Sequence, residues 1–133
     1  MSCQGKPGQA WPIKVLVSGE PTALTSAART ATQTSEKNVN DHWSTIHLVT
    51  DITAWSAGSL TPKLQGWNGL VWYDILVGPA LGATGTNVLK LGPGFTPSPN
   101  AVASDRLPPV WRVVLTVGDA TAITYSCQAN VMP

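Results

Sequence analysis

Charge is what this sequence has least of. Asp, Glu, Lys and Arg make up 11% of the 133 residues, against roughly 25% in an ordinary soluble domain. A small domain that lives alone in water carries a mixed, charged surface to stay dispersed. A chain this poor in charge, yet holding six Trp, is expected to hide much of its surface against neighbours. Trp is enriched at the energetic centres of interfaces, although part of this set can equally fill a small core. Long apolar runs are missing too, which excludes a spanning helix of about 20 residues. The start MSCQGKPGQAW has a lysine but no apolar stretch after it, so no signal peptide is expected and synthesis is placed in a cytoplasm. Neither a membrane nor nucleic acid is expected as a partner. The net charge is +1, and the basic residues are scattered singly, without the patch that phosphate binding needs.

Cysteine is scarce. Cys3 and Cys127 lie near opposite ends and could close one long loop. A cytoplasmic chain is expected to keep them reduced, and Cys127 falls on an alternating pattern that suits a small buried residue.

What is present is a succession of short strands, in a length that suits one domain. The first ten residues, with Gly5, Pro7 and Gly8, are expected to form an extended arm, and residues 11–133 the domain proper. The alternation IKVLV at 13–17 predicts a strand. Residues 22–34 are rich in Thr, Ser and Ala with no helical apolar stripe, which predicts an extended segment followed by a polar loop. In 43–53 the alternation puts Ile46, Leu48, Thr50 and Ile52 on one face. Residues 60–67 alternate as well, and Pro62 suggests an edge or a strand start there. Asn68-Gly69 signals a tight hairpin, with the return strand over 70–77. A strand over 86–91 follows. Four prolines between Phe95 and Pro109 argue against a regular ladder in that connection. The last pair covers 110–117 and 122–129. Trp111, Val113, Leu115, Ile123 and Tyr125 join Ile46, Leu48 and Ile52 as the expected core. The pattern is all-β: a single-domain antiparallel β-sandwich of the jelly-roll kind.

Catalytic constellations are absent from the sequence. His42 and His47 stand five apart, on opposite sides of a strand, with no cysteine near them. Asp51, Asp74 and Asp105 are isolated. Gly92 and Gly94 mark a turn without the Lys-Ser/Thr of a phosphate loop, and Ser56 and Ser59 lie outside any GxSxG. No enzyme, metal or cofactor is therefore expected. Trp67, Trp72 and Tyr73 flank one hairpin and could form a platform for sugar; core or subunit packing is the simpler use of them. The candidate interface residues are Trp11, Trp43, Trp55, Trp67, Trp72 and Phe95.

A succession of fragments carries a resemblance. SAART (26–30), NVN (38–40) and HLVTDIT (47–53) come first, followed by LQG (64–66), WYDI (72–75) and ATGT (83–86). VLKLGPG (88–94), ASDRLP (103–108), VWRV (110–113) and ITYS (123–126) complete the series. In this order, over about residues 24–130, the chain resembles small virion proteins of tailed bacteriophages and their prophage relatives. Cys127 and Pro109 depart from that pattern, and Trp43, Trp55 and Trp67 are particular to this chain. The resemblance implies a β-sandwich structural protein, without catalytic residues, present in many copies on the particle. Head decoration is the first expectation: a clamp on the outside of the shell, touching the major capsid protein and copies of itself, with a trimer at local threefold positions. A tail or receptor-binding appendage that contacts glycan is the alternative, and a soluble lectin or sandwich hydrolase a third class.

Overall fold

The structure, a computed structural model, describes residues 22–35, 37–40, 43–119 and 121–133. The arm over 1–10, the strand expected over 13–17, and Cys3, Trp11 and His42 lie outside the described residues. Ten strands follow in chain order: β1 (Thr22–Arg29), β2 (Gln33–Thr34), β3 (Asn38–Val39), β4 (Thr45–Ala54), β5 (Leu60–Trp67), β6 (Trp72–Val77), β7 (Gly85–Leu91), β8 (Val102–Ala103), β9 (Val110–Val117) and β10 (Ile123–Met132). One sheet has the order β1-β10-β4-β7-β8 and the other β2-β9-β5-β6, with β3 also on β9. The described residues are thus all-β, in two sheets that share one core as a β-sandwich.

Period-two alternation explains which side chains meet between the sheets. Along β4, Ile46, Leu48, Thr50 and Ile52 are buried and their neighbours are not. Along β10 the same holds for Ile123, Tyr125, Cys127, Ala129 and Val131. Trp111, Val113 and Leu115 of β9 close the core from the facing sheet with Leu60 and Leu64. Each fully buried aliphatic chain of this size contributes about 1.5–3 kcal/mol. The one polar residue in the β4 row, Thr50, stands opposite Cys127, and Thr50 Oγ1 and Cys127 Sγ lie 3.4 Å apart. Burial pushes the free Cys127 thiol up to about 12, the Thr50 contact opposing the shift, and burial likewise pushes Tyr125 up to about 12.

Three elements differ from the sequence pattern, each for a local reason. Pro62 is not on an edge, because β5 lies between β9 and β6. Its carbonyl accepts from Gly78 N at 2.8 Å, and N and O of one strand residue face the same side. The missing N–H therefore falls just past the end of β6 and costs the β9 ladder nothing. The tip of the hairpin after β5 is Gly69-Leu70, one residue later than Asn68-Gly69, with Asn68 N donating to Val71 O at 3.3 Å. Asn68 Oδ1 accepts from both Leu70 N and Val71 N at 2.9 Å, so Asn68 acts as a side-chain cap. Only Gly69 takes positive φ, at 99°, and β6 starts at Trp72. In the proline-rich connection a short ladder does form: β8 pairs parallel with β7, Lys90 opposite Val102 and Leu91 opposite Ala103. It occupies the window between Pro99 and Pro108, where backbone N–H groups are available. The sandwich is accordingly mixed, not purely antiparallel.

The Thr- and Ser-rich stretch has a purpose the alternation does not disclose. β2 and β3 are two short pieces on the outer edge of β9. Between and beside them, side-chain oxygens take over: Val113 N donates to Ser35 Oγ at 2.8 Å and Val117 N to Thr32 Oγ1 at 3.1 Å. Hydroxyls can replace ladder carbonyls in this way wherever the backbone departs from the strand.

One end of the sandwich is closed by Asn40. Its Nδ2 donates to Trp43 O at 2.6 Å and Leu107 O at 3.0 Å, while Oδ1 accepts from Trp43 N at 2.8 Å. Asn40 N donates to Pro109 O at 2.7 Å, and Leu107 N to Ser44 O at 3.1 Å. This clasp draws Trp43 and Leu107 into the core, 5% and 3% exposed. Trp43 is therefore a core residue and not an interface residue.

Two measurements test these assignments. Asn40→Ala leaves buried carbonyls without donors and is expected to cost about 1–3 kcal/mol in urea unfolding; Asn40→Asp, which sets a carboxylate against those carbonyls, is expected to cost more at neutral pH than at acid pH. Cys127 and Tyr125 both hold their protons more tightly when folded, so their contribution is complete below the unfolded values of 9.0 and 10.0 and is lost as pH rises towards about 12. Urea midpoints between pH 8 and pH 12 are expected to fall in that window, and less steeply in Cys127→Ala.

Candidate functional site: the outer face of the β9-β5-β6 sheet

The outward faces of the two sheets differ in chemistry. On β4 and β10 the outward residues are largely polar: Thr45, His47, Asp51 and Thr53, then Thr124, Ser126, Gln128 and Asn130. Asp51 is satisfied there by Thr86 Oγ1 at 3.1 Å. His47 sits opposite Lys90, and burial first, then the Lys90 charge, holds its imidazole below the ordinary range.

The outward face of the other sheet is mixed, an aromatic pair at one end and a charged row beside it. The pairing of Trp67 with Trp72 across β5 and β6 sets their rings side by side, centroids 5.2 Å apart and planes tilted by 48°. From β9, the Arg112 guanidinium lies over the Trp72 ring, 4.2 Å from its centroid, within cation–π range. Below this pair runs a row of polar groups. Arg112 Nε donates to Gln65 Oε1 at 2.7 Å, Gln65 Nε2 donates to Asp74 Oδ1 at 2.8 Å, and Lys63 Nζ reaches the same oxygen at 3.4 Å. Gln65 is buried and uses both ends of its amide. The Gln65 bond, more than the Lys63 charge, holds the Asp74 carboxyl below its ordinary value. Burial lowers the Arg112 value, and a guanidinium remains a cation in a folded protein.

Beside the indoles is a cleft of about 360 Å³ lined by Lys37, Trp67, Trp72 and Val110. The hairpin tip projects past it. Leu70 and Val71 are 84% and 56% exposed, because the Asn68 cap turns the chain before β6 begins. They are the most exposed large apolar side chains among the described residues. Sequence reading assigns both to a strand and so misses them as surface anchors; the Asn68 carboxamide was the available signal.

Of the candidate interface residues that the structure describes, only Trp67 and Trp72 come together. Tyr73 points to the opposite face and covers Gly66, where an added Cβ would come within 2.7 Å of the Tyr73 ring. The three-aromatic platform is therefore not formed. Trp55 is far from the pair, at the other end of β5, with its Nε1 donating to Gly58 O at 3.0 Å. Its surroundings include a second cavity of about 260 Å³ lined by Ile52 and residues 80–87. Phe95 folds back on Gly92, half-buried. Among the described residues no three of His, Cys, Asp and Glu gather as a metal site would require.

The polar row gives a direct test. Gln65→Leu removes the first cause of the lowered Asp74 value. Carboxyl NMR titration is expected to show Asp74 titrating at higher pH in that variant, with Lys63→Gln giving a smaller rise. An unchanged Asp74 would mean that the row is not assembled in solution.

Comparison of the chain with protein-family models, with curated proteins and with solved structures finds no match in any of the three.

Proposed function

We propose that this chain is a structural protein of a tailed-phage virion, a decoration protein held in many copies on the outside of the head shell. The observation that carries this reading is the unequal chemistry of the two outer faces. One is largely polar; the other offers Trp67, Trp72, Val110 and the projecting Leu70 and Val71. Exposed large apolar side chains beside an aromatic cleft mark a protein interaction site. Burying Leu70 against a partner would contribute about 1.5–3 kcal/mol, modest for one contact but multiplied when many copies sit on a symmetric shell. The resemblance of the ordered fragments to small phage virion proteins points the same way, as does the low charge. The partners are then the major capsid protein and further copies of this chain.

A tail appendage that binds glycan remains the second reading, supported by the partly exposed Trp67–Trp72 pair. The aliphatic tip beside that pair favours a protein partner, since Leu70 and Val71 offer a sugar no hydrogen bonds.

Quantitative mass spectrometry of purified particles tests the proposal. Copies on the order of hundreds per particle, as a symmetric shell requires, are the expected result. Fewer than about twenty, co-purifying with tails, would move the function to attachment. Absence from particles would overturn the virion reading. Replacing Leu70 and Val71 together by Asp is expected to lower occupancy on heads about tenfold or more with the thermal midpoint of the free protein unchanged.

A further inference from the structure

Two positive charges on the outer face of the second sheet have no carboxylate partner among the described residues. Asp74, the acidic residue of the row, is engaged by Gln65 and Lys63. Arg112 uses Nε on Gln65, and among the described residues its two terminal amino groups meet no acceptor. They are held in place nonetheless, because the guanidinium plane rests on Trp72. Lys37, at the cleft wall, is exposed and forms no ion pair with any described residue. A guanidinium with one side occupied and a free fork matches the two oxygens of a carboxylate.

The apolar neighbours decide what carries that carboxylate. Val39 and Val77 on this face are 38% and 37% exposed, and Leu70 and Val71 at the hairpin tip more so. A partner must therefore present aliphatic or aromatic surface around its acid. A second copy fits poorly where a two-fold axis runs through the cleft, since that would set Lys37 and Arg112 against their own counterparts, and like charges brought together in an interface are costly.

Resting on the reading that this face is covered by another protein, we propose that the cleft between Lys37, Trp67, Trp72 and Val110 docks a protein segment bearing a carboxylate among apolar side chains. Trp67, Trp72 and Val110 take the apolar part, the Arg112 fork takes the carboxylate, and Lys37 supplies the second charge. The partner surface on the shell is then acidic and apolar together, and binding weakens with salt.

The test uses the full chain and two peptides, N-acetyl-Leu-Glu-Pro amide and its Gln counterpart. Binding is followed by the indole N–H signals of Trp67 and Trp72 in NMR. The Glu peptide is expected to shift both signals, leave that of Trp55 in place, and bind about tenfold more tightly than the Gln peptide. Lys37→Glu, which alters an exposed side chain without a described partner, is expected to abolish the preference. Arg112→Lys is expected to retain part of it and Arg112→Gln none. Equal binding of the two peptides, a preference that survives both Lys37→Glu and Arg112→Gln, or no shift at ~10 mM peptide, well above a millimolar Kd, would overturn the proposal. Tighter binding of oligogalacturonate than of the Glu peptide would also overturn it, in favour of an anionic glycan. Particle copy number is independent of these readouts: absence from virions with a Glu preference intact would reject the virion and keep the site.

Discussion

The Asn40 side chain joins segments that are 67 residues apart in sequence, reaching from the loop before β4 to the loop before β9. Most strands here are held by neighbours in a ladder, and ladders align strands within a sheet. They do nothing to keep two sheets together at an open end. One carboxamide that both donates and accepts, with its own N–H on Pro109 O, supplies that closure, and its geometry places Trp43 and Leu107 where water would otherwise enter. The start of β9 is fixed by the same contacts. Trp111 and Arg112, one facing the core and one facing out, inherit their positions from it. The outer face thus depends on a hydrogen-bonded corner that it does not touch.

Core faces were legible from the sequence wherever a strand kept strict alternation. Ile46, Leu48 and Ile52, Trp111, Val113 and Leu115, and Ile123 and Tyr125 all lie between the sheets, each 0–2% exposed. Period two is a local property, so local reading suffices. What escaped depends on partners distant in sequence or on a break in the period. Burial of Trp43 requires the loop at 107–109. Separation of Trp72 from Tyr73 follows from alternation, but the change of phase beyond Asp74 comes from a bulge that leaves Ile75 out of the pairing with β5. Residues 32–39 could not be resolved by pattern at all, since the hydroxyls of Ser35 and Thr32 bond to a strand 78 and 85 residues later. Part of the site was visible as two Trp flanking a turn. The cations were not, because scattered Lys and Arg carry no period, and only the fold brings Lys37 and Arg112 to one surface.

The site is economical in polar atoms. Gln65 spends its amide between a cation and an anion, bonding to each while keeping Arg112 and Asp74 apart. A direct Arg–Asp pair would have consumed the guanidinium fork. Inserting a neutral amide instead leaves a positive group oriented, partly dehydrated and still available. Burial on the same sheet gives rigidity, and aromatic stacking restricts the side chain before any partner arrives, which lowers the entropy lost on binding.

β6, the last strand of its sheet among the described residues, is finished in an unusual way. Asn100, with φ 59°, donates from Nδ2 to Val77 O at 3.0 Å, and the bulge at Ile75 bends the strand partway along. Bare edges invite copies of a chain to stack into fibrils, and bending or capping is how natural sheets prevent it. A chain with so few charges has little electrostatic repulsion to keep its copies separate at high concentration. Shape must do that instead: the crooked rim of β6 lets crowded molecules collide without zipping together.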